Sequence, residues 1–93
     1  MADISDISLL RKKLIYRSWH RGCKEFDLLF GCFALKHLHE FSIDQLTEYE
    51  NIINLDDYEL YYYVIRKLSI PCNLDGKVMN LIVRFIKTYT YLH

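Results

Sequence analysis

The 93-residue chain is a little over half hydrophobic, with eight tyrosines, five phenylalanines, three glycines and one proline, which argues for a single small folded domain over residues 1–93 and against a low-complexity chain. Its twelve basic and twelve acidic side chains cancel, whereas nucleic-acid modules usually carry a clear basic excess. No apolar run nears the roughly 20 residues of a membrane span, and the opening "MADISDISLL" has no secretory or mitochondrial presequence pattern, so a soluble, bacterial-type cytoplasmic chain is expected.

In chain order, the first periodic segment starts near Ser5, a candidate N-cap, with Asp6 suited to a first turn. Ile7, Leu10, Leu14 and Ile15 recur at helical spacing, so helix one is expected to run to about Ser18. Gly22 breaks the pattern. A second helix should start near Cys23 or Lys24, with Glu25 and Asp27 at the positive end of its dipole. Its Phe26, Leu29, Phe30, Phe33 and Leu38 form a broad apolar stripe suited to a central helix.

The stretch "HEFSIDQL" carries a capping box. Ser42 caps, Gln45 reaches back three residues later, and Phe41 is placed to pack on Leu46. Helix three then presents Leu46, Tyr49, Ile52 and Ile53. Asp56 followed by Glu59 repeats the signal, giving a fourth helix from Asp57 to Leu68 that stops before Pro71. A last helix from about Leu74 offers Val78, Ile82, Phe85, Ile86 and Tyr89. No segment reads as a period-two strand, so the expected fold is an all-α, five-helix bundle. Within "YYY", the three rings of Tyr61, Tyr62 and Tyr63 cannot all enter one core; two of them are expected inside.

Charge is segregated. Ile7–Lys24 holds Arg11, Lys12, Lys13, Arg17, Arg21 and Lys24 with no acid, whereas Glu40–Asp75 holds eight acids against Arg66 and Lys67. Such a dipolar chain can steer a partner, although charge runs usually coat a solvated helix face. Cys23, Cys32 and Cys72 are odd in number and lack a C-x-x-C pair, which favours reduced thiols. His20, Cys23, Cys32, His37 and His39 match no standard zinc spacing, so no metal is expected. There is no phosphate loop, G-x-S-x-G or H-E-x-x-H, and Glu25 and Asp27 point in different directions on a helix start. The chain reads as a non-enzyme. A basic first helix interleaved with Tyr16 and Trp19 keeps a nucleic-acid-binding module as the alternative.

A protein-binding role has its focus at "WHRGCKEFDLL". Gly22 permits a positive φ and lets another chain come close. Arg21 and Glu25 flank it with opposite charges, suited to a hydrogen-bonded ionic interface. They pair with a partner or with each other; a C-cap glycine beside an internal salt bridge is the plainer reading.

"YRSWHRGCKEFDLLFGCF" resembles the R-G-x-x-E signature of the SdhE/Sdh5 family, the succinate dehydrogenase assembly (flavinylation) factors. The likeness continues through "LTEYENIINLDDYELYYYVI", "IP" and "VMNLIVRFIK", covering about Ile7 to Lys87. The resemblance implies a five-helix fold and a chaperone-like, non-catalytic partner of the succinate dehydrogenase flavoprotein subunit, with fumarate reductase a second candidate. It implies promotion of covalent FAD attachment to that subunit with no stably bound cofactor, and leaves the antitoxin-like role described for some bacterial members as an alternative; a monomer with no nucleic-acid partner and no membrane insertion is expected. By motif, Arg21, Gly22 and Glu25 would contact the flavoprotein, with Asp27 accessory and Arg17 and His20 alongside. Two positions depart from the pattern: His20 stands where the family often has a second arginine, and Tyr63 where it has tryptophan.

Overall fold

A computed structural model of the chain describes residues 4–65 and 76–92, with side chains over 7–64 and 76–89. The described residues form five α-helices and no strand, so the all-α expectation holds. The helices are α1 (Ile4–Trp19), α2 (Lys24–His37), α3 (Ile43–Ile53), α4 (Asp57–Leu60) and α5 (Lys77–Leu92). A 3-10 turn, Leu38–Glu40, extends α2, and a π turn, Tyr61–Ile65, extends α4. Backbone contacts group the chain into two units, Met1–Thr47 and Glu48–His93, with the boundary inside α3.

In the first unit, α1 packs against α2. Leu14 from α1 and Phe26, Leu29, Phe30, Phe33 and Ala34 from α2 are buried, as are Leu38, Phe41 and Leu46. Each of these Leu and Phe side chains removed from water contributes roughly 1.5–3 kcal/mol. Ser18 is fully buried and is satisfied by donating its Oγ–H to the Leu14 carbonyl at 2.7 Å. Arg11 ties α1 to the far end of α2. Its Nε donates to the Leu38 carbonyl at 3.0 Å and its Nη2 to the Phe41 carbonyl at 2.9 Å.

The predicted capping box is present. The Gln45 N–H donates to Ser42 Oγ at 3.3 Å and the Ser42 N–H to Gln45 Oε1 at 3.0 Å, and the staple residues Phe41 and Leu46 are both buried. Asp56 caps α4, accepting the Glu59 N–H at 2.8 Å. Ser5, in contrast, lies inside α1 rather than ahead of it, because the helix already begins at Ile4.

In the second unit, Tyr49, Ile52, Ile53, Leu60, Val64, Val78, Met79, Ile82 and Ile86 are buried, and α5 packs against the π turn. Two expectations change here. The fourth helix keeps α geometry only to Leu60 and continues as the π turn; Arg66, Lys67, Leu68, Pro71, Cys72 and Leu74 lie outside the described residues. The tyrosine triplet does not send two rings into the core. Tyr61 and Tyr62 are 45% and 49% exposed and Tyr63 is half-buried, because Leu60 and Val64, four residues apart, take the inward face.

Candidate partner-binding site

The four residues His20–Cys23 that separate α1 from α2 reverse the chain. At their centre Gly22 has φ 101°, a conformation other residues adopt only with strain, and a side chain placed there would meet no atom within 4 Å. The turn therefore requires glycine for its backbone while leaving the space beside it open. Cys23 ends the turn in an extended conformation, φ −117° and ψ 125°, and α2 starts at Lys24.

Arg21 is held from two sides. Its backbone N–H donates to Asp27 Oδ1 at 2.5 Å, and its guanidinium carbon lies 5.7 Å from the centre of the Phe30 ring, within cation–π range. Arg21 is half-buried as a result. Glu25, in the first turn of α2, is exposed and makes no hydrogen bond or ion pair among the described residues. The internal Arg21–Glu25 bridge is thus absent: the guanidinium lies over Phe30 and the carboxylate faces water.

Asp27, grouped with the contact residues from sequence, is half-buried and accepts the Arg21 N–H, so within the chain its carboxylate sets the turn. His20 is exposed; its ring stacks on Tyr16 at 4.1 Å between centroids, and Nδ1 lies 2.8 Å from the Tyr16 carbonyl. A carbonyl only accepts, so Nδ1 carries the proton. Arg17 is exposed on the same helix, with Lys12, Lys13 and Tyr16 along one continuous face. Arg17, His20, Gly22 and Glu25 are therefore exposed, and Arg21 is partly so.

Two contributors were not foreseen from sequence. Trp19, the last residue of α1, lies against Gly31 of α2: a Cβ on Gly31 would sit 2.6 Å from indole Cε2 and closer still to Cδ2 and Cε3. Arg11 was counted with the surface charge, yet it is bound to two carbonyls. A lone glycine within the apolar stretch of α2 was the signal available for the first; the second had none, since its partners lie 27 and 30 residues away.

Comparison with known proteins turns this geometry into a family. The profile described as "Sdh5: Flavinator of succinate dehydrogenase" matches residues 12–86, which spans the turn and most of both units. The chain belongs to the Sdh5 family. Among relatives, "Succinate dehydrogenase assembly factor 2, mitochondrial" of Dictyostelium discoideum is 34% identical over 85 residues, covering 91% of this chain and 60% of that protein. "Succinate dehydrogenase assembly factor 2-A, mitochondrial" of Drosophila yakuba is 35% identical over 79 residues, 83% of this chain and 49% of that one. The 2-B factor of Drosophila melanogaster is 32% identical over 81 residues, with coverages of 85% and 52%. The chain thus spans about half to three-fifths of these Sdh5-family relatives. No helix among the described residues is long and apolar enough to cross a membrane.

Proposed function

We propose that this Sdh5-family chain is a non-catalytic assembly factor that binds the flavoprotein subunit of succinate dehydrogenase through the turn around Gly22 and promotes covalent attachment of FAD to a histidine of that subunit. The observation that carries the reading is the pairing of an open, left-handed Gly22 with an exposed Glu25 that no neighbour among the described residues neutralises. The turn can admit another backbone at Gly22 and offer it a carboxylate acceptor from Glu25 and a guanidinium donor from Arg21. Arg17 and His20 extend that surface along α1, and Asp27 holds it from behind.

The bond-forming chemistry belongs to the flavoprotein, whose own histidine would react at the flavin C8α methyl group. The contribution of this chain is to favour the arrangement of the partner in which that reaction proceeds, which it achieves by binding that arrangement more tightly. The flavoprotein of fumarate reductase is a second substrate on the same logic. The chain works in the compartment where the flavoprotein acquires its flavin; the named relatives are mitochondrial.

The test is flavin fluorescence of the denatured flavoprotein band, with and without this chain co-expressed. Covalent flavin should rise with the wild-type chain. Glu25→Ala should abolish most of the rise at unchanged fold, because truncating one member of an interfacial charge pair costs about 2–5 kcal/mol of binding. Gly22→Arg should do the same by filling the open space, with strain at φ 101° adding to the loss. Full flavinylation with both variants would remove the turn from the mechanism.

A further inference from the structure

We propose that Trp19 and Gly31 form a lock that presents the Arg21–Gly22 turn, and that Trp19 governs partner affinity through Arg21 rather than by touching the partner. The proposal rests on the reading of the turn as the docking surface. Atoms Cδ2, Cε2 and Cε3 lie at or beside the fusion of the two indole rings, so the middle of the indole covers the bare backbone of Gly31. No larger residue fits beneath it.

Asp27, Phe30 and Gly31 stand at i, i+3 and i+4, one face of α2. They receive the Arg21 N–H, the Arg21 guanidinium and the Trp19 ring respectively. One stripe of α2 thus grips the chain on both sides of His20, immediately before Gly22. Glycine itself has the widest conformational freedom of any residue, so the single geometry of this turn must come from its neighbours. Without the indole seat, the chain entering Arg21 loses its anchor, and a partner would have to order the turn on binding.

The lone tryptophan of the chain is Trp19, so its emission reports the lock directly. In the free chain, Trp19→Ala should raise hydrogen exchange at the Arg21 amide by about tenfold while leaving amides within α2 unchanged. Affinity for the flavoprotein subunit should fall by about tenfold or more. Trp19→Phe, which keeps a flat ring, should retain most of both. Gly31→Ala should shift the emission to the red with the same losses. Adding Trp19→Ala to it should recover the thermal stability lost to overlap, but neither the Arg21 protection nor the affinity.

Unchanged Arg21 exchange in Trp19→Ala would overturn the lock, as would wild-type affinity in that variant. Trp19→Ala opens space rather than closing it, so the test stands even if Gly31→Ala fails to fold. Normal binding by Glu25→Ala would instead overturn the docking reading, and the Arg21 exchange would still decide whether the lock exists. Lost binding in Glu25→Ala beside wild-type binding in Trp19→Ala would overturn the lock alone.

Discussion

Arg11 offers a sharp separation between a charge that builds the fold and a charge that meets a partner. Its guanidinium donates to the Leu38 and Phe41 carbonyls at 3.0 and 2.9 Å, and both bonds are partly buried. A hydrogen bond from a charged donor is worth about 1.5–3 kcal/mol net. The Leu38 carbonyl keeps a bond from the Phe41 N–H at 3.2 Å, and partial exposure lets water replace some of the remainder. Arg11→Met, which preserves the apolar stem, should therefore cost about 2–3 kcal/mol in total. That is a large share of the roughly 5–15 kcal/mol that holds a domain of this kind together. In urea unfolding followed by circular dichroism, the midpoint should drop at constant slope, and the thermal midpoint should fall by about 10–20 °C. Arg11→Lys should recover only part of the loss, since a point charge cannot reproduce the two-pronged donor geometry. Lys12→Met, at an exposed neighbouring position, is the control and should change little. If Arg11→Met unfolds within about 0.5 kcal/mol of wild type, as surface substitutions do, the two hydrogen bonds contribute nothing and the assignment of Arg11 to the fold is mistaken.

His37 gives a pH signature. Its pKa lies below the ordinary 6.5, chiefly because burial disfavours the charged ring and then because of Lys36; His39 adds to the lowering and Glu40 opposes it. The unfolded chain therefore binds a proton first as pH falls, and stability should decline as pH drops through 6.5, levelling off below the folded-state pKa. His37→Phe, compatible with the neighbouring Phe33 and Phe41 rings, should flatten that part of the profile; an unchanged slope between pH 5 and 8 would assign the loss elsewhere. Asp56→Ala should destabilise by about 1 kcal/mol through loss of the bond from the Glu59 N–H, measured by the same unfolding assay, with Asp56→Asn retaining most of it.

What the sequence made legible was local. Ser42 with Gln45 and Asp56 with Glu59 could be read as caps because partners three residues apart on a helix start meet by geometry alone, and Gly22 could be read as a turn because its conformation excludes other residues. The contacts that set the candidate site were not legible, since Trp19 meets Gly31 and Arg21 meets Phe30 only once the register of α1 on α2 is known. Arg11 looked like any other member of a basic run for the same reason. The tyrosine triplet misled because composition gives a ring's affinity for a core but not the phase of the helix, and Leu60 and Val64 settle that phase.

The bare backbone at Gly31 also bears on how such chains drift. A methyl group added there has no room while the indole covers it, and only a side chain without a flat ring at position 19 would leave that ledge empty. Substitution at either site is thus conditional on the other, so the two positions should exchange volume together across descendants of this lineage. Tallies that score each column separately would miss the constraint.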